Sequence, residues 1–201
     1  MKQHEEIGAF VLAGGASSRM GRAKGLLTFA GKPLIVHAAR LVESVAGPPV
    51  IVGSAGVYGG MGFRTFGDDR RNLGPLGGIC TALRVTTRGW NLIVGCDLPF
   101  LTREWLEFLV ARAIGSPADV VIPLNERGYE PLCAMYRKRA HRAIEAALGR
   151  GVRKITDGLK ELTLTAIEPA EWKAFDPRGR LFKNVNTPAD YEEARREAET
   201  S

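Results

Sequence analysis

Residues 7–25 read IGAFVLAGGASSRMGRAKG, and this stretch decides the fold. The continuous apolar run over residues 7–14 is typical of a strand buried on both faces, and the segment from Gly14 to Lys24 predicts a glycine-rich loop at its end. Glycines let backbone N–H groups approach an anion, while Arg19 and Lys24 can neutralise its charge, so the loop is suited to phosphate. A mobile surface loop is the alternative. Neither GxxxxGK[ST] nor GxGxxG occurs, which disfavours the standard NTPase and dinucleotide sites.

The rest of the chain alternates strand and helix patterns. Apolar runs predict strands at 48–54, 62–69, 90–101, 118–124 and 162–168 and an extended segment at 130–136, while helical spacing predicts helices at 34–45, 74–86, from Thr102 onward, at 137–151 and at 187–199. Helices between strands favour parallel pairing with right-handed crossovers. We therefore expect an α/β protein, doubly wound, with a mostly parallel sheet, helices on both faces and a single domain over residues 1–201. Ligands of such sheets bind at the carboxyl ends of the strands, which here are the loops after Leu12 and Cys96.

Composition limits the partners and the location. The 201 residues carry a formal charge of +6, which favours anionic partners. Aromatic residues are not interleaved with the short basic clusters, so we expect no nucleic-acid platform. The longest apolar runs are far shorter than the ~20 residues of a membrane span, and the amino terminus does not read as a signal peptide. We expect a cytoplasmic protein that binds neither nucleic acid nor membrane.

The cysteines and histidines give no pattern typical of a reactive or metal site. The three cysteines form no CxxC pair, lie in apolar contexts and are interpreted as small buried residues. The three histidines, His4, His37 and His141, are scattered along the chain without an HxxxH or Ser/His/Asp pattern. We therefore expect neither a hydrolase triad nor a histidine metal site.

Several motifs in order resemble one known family. The run LAGGASSRMGRAKGLLTFAGKPLI (12–35) resembles the amino-terminal signature of the molybdenum cofactor guanylyltransferases, which belong to the nucleotidyltransferases with a Rossmann-like fold. The later motifs GPLGGI (74–79), CDLPFL (96–101), EPLCAMY (130–136) and NVNTPADY (184–191) follow the family order. Any later motif alone would be weak, whereas the ordered set is specific.

The resemblance implies a reaction and its substrates. Molybdopterin, in its molybdenum-bound form, would attack the α-phosphate of GTP through its terminal phosphate and release pyrophosphate. Molybdoenzymes or their chaperones would receive the product. Two anions must meet in line, so positioning and charge neutralisation dominate such catalysis. Asp97 follows an apolar strand, and a carboxylate there suits the Mg²⁺ cofactor that the family implies.

The resemblance also assigns residues to roles. Lys24, Asp97 and Arg19 would be catalytic, with Asp97 as the metal ligand, Lys24 on the triphosphate and Arg19 on the departing pyrophosphate. The nucleotide would be held by Leu12, Ala13, Gly14 and Gly15 around guanine and ribose, with Lys24, Asp97 and an acidic residue before GPLGGI, for which we choose Asp68 over its neighbour Asp69. A surface turn is the alternative for that acidic pair. Asn184 and Asn186 would face metal and pterin, with turn and cap chemistry before Thr187 as the rival explanation.

One position departs from the family, and it leaves other functions open. The family usually carries Asp immediately before the lysine, where this chain has Ala23. The alternatives are a molybdopterin cytidylyltransferase, a sugar-phosphate nucleotidyltransferase, or a nucleotide-binding protein of weakened activity. In the resembling families cytosine enzymes carry Ala at a position matching Gly14 or Gly15, so the two glycines favour GTP.

Overall fold

The computed structural model describes residues 7–14, 23–67 and 73–199, in which helices cover a central sheet. The strands are β1 (Ile7–Leu12), β2 (Thr28–Phe29), β3 (Lys32–Pro33), β4 (Val50–Val52), β5 (Arg64–Phe66), β6 (Trp90–Gly95), β7 (Val120–Asn125), β8 (Gly128–Tyr129), β9 (Cys133–Arg137) and β10 (Leu164–Ile167). The helices are α1 (Leu34–Ala46), α2 (Ala55–Tyr58), α3 (Gly74–Val85), α4 (Arg103–Ile114), α5 (His141–Gly149), α6 (Ile155–Gly158), α7 (Pro169–Trp172) and α8 (Pro188–Glu199). Among these described residues, no helix is both long and apolar enough to cross a membrane.

The sheet is mostly parallel. Its strand order is β10-β7-β9-β6-β1-β4-β5, with β8 paired to β7, while β2 and β3 form a separate hairpin. β1 pairs in parallel with β6 and β4, β4 with β5, and β7 with β10. This arrangement confirms the α/β, doubly wound fold class expected from the sequence.

β9 departs from the parallel pattern. It pairs antiparallel with both β6 and β7. The connection from β7 to β9 contains the short strand β8 and no helix, so the chain reverses direction instead of crossing over. The extended segment expected at residues 130–136 thus becomes an internal antiparallel strand.

Alternate residues of β1 separate the core into two layers. Ala9 and Val11 pack in a buried cluster with Val42 of α1 and Trp105 of α4. Phe10 and Leu12, two residues apart on the strand, pack in a second cluster with residues of α3 and α5. Because side chains alternate across a strand, the two clusters lie on opposite faces of the sheet. All three cysteines are buried, as expected from their apolar sequence contexts, and none forms a disulfide with another described residue.

The expected strand at 90–101 is shorter in the structure. β6 ends at Gly95, and residues 96–102 turn away before α4 begins. Thr102, where the helical pattern was expected to start, caps α4, because its Oγ1 accepts a hydrogen bond from the Trp105 N–H at 3.2 Å. The early end of β6 leaves Asp97 in a turn at the sheet edge.

Gly8 is predicted to be essential for packing of β1 against β6. A Cβ at this position would overlap Asn91 Oδ1 and lie 2.9 Å from Thr86 Oγ1. Gly8→Ala should therefore lower the free energy of unfolding by about 1–3 kcal/mol, the usual cost of overpacking. Gly89→Ala is the matched control, since a Cβ there would meet nothing within 4 Å. Urea unfolding of both variants checks this, and equal stabilities would contradict it.

Candidate active site

The carboxyl ends of β1 and β6 lie side by side at one edge of the sheet. Their register pairs Leu12 with Gly95, and the Cys96 N–H donates to the Leu12 carbonyl at 3.0 Å. The Ala13 N–H donates in turn to the Val52 carbonyl of β4 at 2.9 Å. The loops after both strands therefore leave from the same edge, where ligands of open parallel sheets bind.

Three expected site residues from distant parts of the chain meet there. Lys24 Nζ donates to Asp97 Oδ2 at 3.1 Å and to Asn186 Oδ1 at 2.8 Å. The side chains of Lys24 and Asp97 are only 22% and 16% exposed, so salt screens this ion pair less than one on the surface. An ammonium group held between two oxygens can exchange either of them for a phosphate oxygen.

The environment of the second carboxylate oxygen of Asp97 indicates that these residues could hold a metal ion. Asp97 Oδ1 is buried and has no hydrogen-bond partner among the described residues. A Cβ on Gly95 would lie 2.6 Å from this atom, so the carboxylate depends on glycine at that position. A buried oxygen without a donor is costly unless a cation or a water completes it. Carboxylate and amide oxygens are hard donors, and the set fits Mg²⁺.

The carboxyl-terminal motif is fixed to the turn that carries Asp97. Val185 is buried, and its N–H donates to the Asp97 carbonyl at 2.9 Å. The next helix is capped by other groups, because Thr187 Oγ1 accepts from the Asp190 N–H at 3.1 Å while Asp190 Oδ2 accepts from the Thr187 N–H at 2.8 Å. The Asn186 side chain therefore does not cap α8 but binds Lys24. Asn184, two residues before Asn186, is half-buried and lines a cavity.

Leu12 and Gly14 have different roles at the end of β1. The Leu12 side chain is buried against α3, where a Cβ on Gly78 would lie 3.2 Å from its Cδ1. Gly14 is exposed, and a Cβ there would meet nothing within 4 Å among the described residues. Because Leu12 O and Ala13 N already hold the strand ends together, Gly14 is the position at this edge that is open to a ligand.

Four expected residues lie outside the residues that the structure describes. They are Gly15 and Arg19 in the glycine-rich loop, and Asp68 and Asp69 before α3. Their roles stay predictions, and the structure does not choose between the two aspartates.

Tyr58 supports the segment that carries Lys24, and sequence reasoning missed it. Its side chain is buried, and its ring and hydroxyl lie 3.0–3.1 Å from where a Cβ on Gly25 would be, with Ile35 on the same side. The ring also lies against Gly53 at the end of β4. Burial raises the pKa of Tyr58 to about 12, so the phenol stays neutral. No pattern in the sequence indicated this role of Tyr58, because Gly25 and Gly53 lie against its ring only in the folded chain.

Ala23, where the resemblance leads us to expect Asp, is half-buried and packs against the core. The chain at this position thus has an apolar contact rather than a charge. The carboxylate that pairs with Lys24 is that of Asp97. The alanine at position 23 therefore leaves Lys24 paired within the candidate active site.

A cavity of about 740 Å³ lies between the end of β7 and the chain leading into α8. Its lining is aromatic at Trp172 and Phe182, and it carries amides and charges of both signs from Asn125, Glu126, Arg127, Lys173, Asp176, Lys183, Asn184, Asp190 and Glu193. Trp172 is buried, its Nε1 donates to the Leu124 carbonyl at 2.9 Å, and its ring meets Phe182 edge-on at 4.9 Å. The cavity therefore has a rigid aromatic wall with polar groups around it.

Glu130 is a second carboxyl group near Asp97. Burial raises its pKa above the ordinary value, and the negative charge of Asp97 adds to the rise, while Asn125 and Arg127 oppose it. Asn125 Nδ2 donates to Glu130 Oε1 at 2.6 Å. Glu130 belongs to the motif EPLCAMY, but no role for it could be predicted from the sequence, since its closeness to Asp97 depends on antiparallel β9.

Cys96 lies directly before Asp97 but is no nucleophile. Burial raises its pKa to about 12, with the charge of Asp97 adding to the effect and Lys24 opposing it. The thiol therefore stays protonated at neutral pH, and nucleophilic catalysis needs the thiolate. The arrangement around Asp97 instead suits binding and charge neutralisation of phosphates.

The chain is similar to known proteins over nearly all of its length. The family model of the MobA-like NTP transferase domain matches residues 9–163. The chain is 31% identical over 197 residues to a probable molybdenum cofactor guanylyltransferase of Natranaerobius thermophilus, covering 96% of each protein. It is also 31% identical over 183 residues to a molybdenum cofactor guanylyltransferase of Pseudomonas putida, covering 89% of this chain and 92% of that protein.

A solved structure shares the whole fold. The crystal structure of molybdopterin-guanine dinucleotide biosynthesis protein A from Archaeoglobus fulgidus matches with a TM-score of 0.84 and 27% identity. The match covers 96% of this chain and 99% of that one. The likeness thus includes the carboxyl-terminal segment with Asn184 and Asn186, which lies beyond the part matched by the family model.

The raised pKa of Glu130 predicts a pH dependence of stability. Just above the ordinary glutamate pKa the folded chain holds this proton more often than the unfolded chain, so the contribution of Glu130 to stability falls as pH rises through that range. Glu130→Gln should therefore gain stability relative to wild type as pH rises toward neutral. Urea unfolding at several pH values measures this difference, with Glu104→Gln at an exposed site on α4 as the control. A difference from wild type that does not change with pH would contradict it.

Proposed function

The chain belongs to the MobA-like NTP transferase family, and from this premise we propose that it transfers GMP from GTP to molybdenum-bound molybdopterin. The products are molybdopterin guanine dinucleotide and pyrophosphate. As a member of a nucleotidyltransferase family, the protein is an enzyme. The proposal takes its substrates from relatives named molybdenum cofactor guanylyltransferase that match almost the whole chain.

The observation that carries the proposal is the meeting of Lys24, Asp97 and Asn186 at the edge where β1 and β6 end. Gly14, where a nucleotide would follow the glycine-rich loop, is exposed at the end of β1, and a cavity of about 740 Å³ is lined by Asn184, two residues before Asn186. Two phosphorylated substrates bound there would meet at a cationic amine and a carboxylate.

The bond changes explain why such groups suffice. An oxygen of the molybdopterin phosphate bonds to the α-phosphorus of GTP, the bond from that phosphorus to the bridging oxygen of the β-phosphate breaks, and pyrophosphate leaves with the electron pair. No side chain needs to form a covalent intermediate. The protein has to align two anions and lower their repulsion, which is the main contribution of enzymes to phosphoryl and nucleotidyl transfer.

Lys24 supplies the positive charge. Its ammonium group already donates to two oxygens, and in the complex it would donate to oxygens of the triphosphate instead. Tyr58 and Ile35 pack against Gly25 and so support the backbone next to Lys24. We propose that Arg19 neutralises the departing pyrophosphate, and that Asp68 contacts the nucleotide.

Asp97 would hold the divalent metal, which we propose to be Mg²⁺. Its buried Oδ1 and the Asn186 amide oxygen are the hard donors available for that ion. When bound, Mg²⁺ would neutralise charge on the phosphates. Gly95 leaves room for the carboxylate at the strand end, and the Val185 N–H binds the backbone carbonyl of the same aspartate.

The acceptor would occupy the cavity beside Asn184. Amides there can bind a pterin or its phosphate without adding negative charge. Arg127, Lys173 and Lys183 also line the space, although Lys183 donates at 2.7 Å to both Glu193 and Glu197. The Trp172 ring is held by its own hydrogen bond, so it would form a wall of the pocket rather than a mobile stacking group.

Guanine would be recognised at Gly14 and Gly15, together with the backbone of Leu12 and Ala13. The open space at Gly14 leaves room for the larger purine ring.

The product would pass to molybdoenzymes or their chaperones in the cytoplasm. We expect that neither nucleic acid nor a membrane takes part. These partners and the cytoplasmic location stay predictions.

A nucleotide screen tests the proposal and its rivals. Purified protein with molybdopterin and Mg²⁺ should release pyrophosphate from GTP and form the guanine dinucleotide. Release from CTP would instead indicate the cytidylyltransferase, release with sugar phosphates a sugar-nucleotide enzyme, and GTP binding without pyrophosphate a protein of weakened activity. Any of these three outcomes would overturn the guanylyl assignment.

Asp97→Asn should keep the fold and lower turnover by about a hundredfold or more, because the amide has the same size but no charge for the metal. The exposed Asp157→Asn, away from the site, is the matched control. Steady-state rates of pyrophosphate release measure the effect. Activity within about threefold of wild type, less than ~1 kcal/mol of barrier, would disprove the metal role.

Lys24→Ala should weaken binding of GTP much more than binding of GMP, because the lost charge faces the β- and γ-phosphates. Calorimetric titration of both nucleotides with Mg²⁺ gives the two affinities. Lys160→Ala, at a side chain that is 73% exposed, controls for the loss of one surface charge. An equal loss for GTP and GMP would move Lys24 away from the triphosphate.

A further inference from the structure

A second group of potential metal ligands lies within the layer formed by α3 and α5. Cys80 comes from α3, and His141 and Glu145 come from successive turns of α5. The ligand atoms of these three side chains all lie within 4.8 Å of one another. Asp97 belongs to the sheet edge, so this group is separate from the candidate active site.

The histidine at the centre of this group is incompletely satisfied. His141 Nε2 is buried and has no hydrogen-bond partner among the described residues. The other ring nitrogen, Nδ1, lies 4.0 Å from Glu145 Oε2, which is beyond a normal hydrogen bond. A ring nitrogen buried without a partner is costly, and a bound ion would satisfy it.

We propose that Cys80, His141 and Glu145 bind one borderline transition-metal ion, with Zn²⁺ as the ion of choice. Thiolate, imidazole and carboxylate are the three donor types that Zn²⁺ takes in proteins. A set that contains sulfur and nitrogen disfavours Mg²⁺ and Ca²⁺, which prefer oxygen alone. A tetrahedral ion would have its fourth position for water, which can reach it past Glu145, whose side chain is 42% exposed.

Such an ion would link α3 to α5, and α3 packs against the end of β1, where the nucleotide would bind. Cys80 lies two residues after Gly78, the glycine of α3 that packs against the Leu12 side chain. Binding would therefore stabilise α3 in the position that it has against the end of β1. This role is structural and does not depend on which nucleotide the enzyme uses.

A histidine metal site was not expected from the sequence, and the reason is visible in the fold. His141 and Glu145 are four residues apart, which places them on one face of a helix, but Cys80 is far away in the chain. Only the packing of α3 on α5 brings the thiol to the pair. A search for CxxC or HxxxH cannot detect such a group.

Cobalt(II) is the probe for this site, because a thiolate bound to tetrahedral Co²⁺ gives charge-transfer and intense visible bands that oxygen ligands do not. Titration of the full chain, freed of metal by chelation, should give these bands with one Co²⁺ per chain, and Zn²⁺ should remove them. Removal of even an outer partner of a metal ligand costs about 10–100-fold in affinity, so Cys80→Ser and His141→Gln should each weaken binding by at least ~10-fold.

Three further variants separate this site from the rest of the molecule. Cys133→Ser removes another buried thiol and should keep the bands, and Asp97→Asn, which removes the carboxylate of the candidate active site, should keep them too. Glu145→Gln changes a more exposed position, so it tests the third ligand even if the buried variants fold poorly. Wild-type protein without thiolate bands, bands that survive in Cys80→Ser, bands lost in Asp97→Asn, or unchanged affinity in Glu145→Gln would each overturn the proposal.

Discussion

The half-buried carboxylate of Asp97 is the group on which the candidate active site depends. A negative charge this far from water is stable only with a close cation, and Lys24 supplies one at 3.1 Å. The carboxylate needs the missing side chain of Gly95, and the backbone carbonyl of Asp97 accepts the Val185 N–H and so holds the carboxyl-terminal motif. One residue thus brings together three parts of the sequence, and its second carboxylate oxygen stays available for a metal.

The strand order explains why these parts meet. β1 lies between β6 and β4 with all three strands parallel, so the segments that follow them leave from one edge. The Leu132 carbonyl, just before antiparallel β9, accepts the Gly95 N–H at 2.8 Å and fixes the end of β6. The sheet therefore supplies a rigid floor, while the loops and the chain before α8 supply the groups that would contact two phosphorylated substrates.

The fold and part of the site could be predicted from the sequence because their signals are local. The apolar run at β1, the glycines after it, the acid after β6 and the Thr187–Pro188 helix start are each visible within about ten residues. The contact of Lys24 with Asn186, the support from Tyr58 and the closeness of Glu130 to Asp97 were not predictable in this way, because they join distant segments. The antiparallel direction of β9 likewise depends on a connection too short for a helix.

The central claim is that Asp97 places a divalent ion between the triphosphate and the acceptor space. The most direct measurement is a crystal structure of the chain with GTP and Mn²⁺ in place of Mg²⁺, with the ion located by its anomalous signal. The account predicts one peak within ligand distance of Asp97, about 2.0–2.5 Å, with Lys24 Nζ moved from the carboxylate to a phosphate oxygen. A peak bound to the triphosphate but remote from Asp97, with the Lys24–Asp97 ion pair intact, would contradict it.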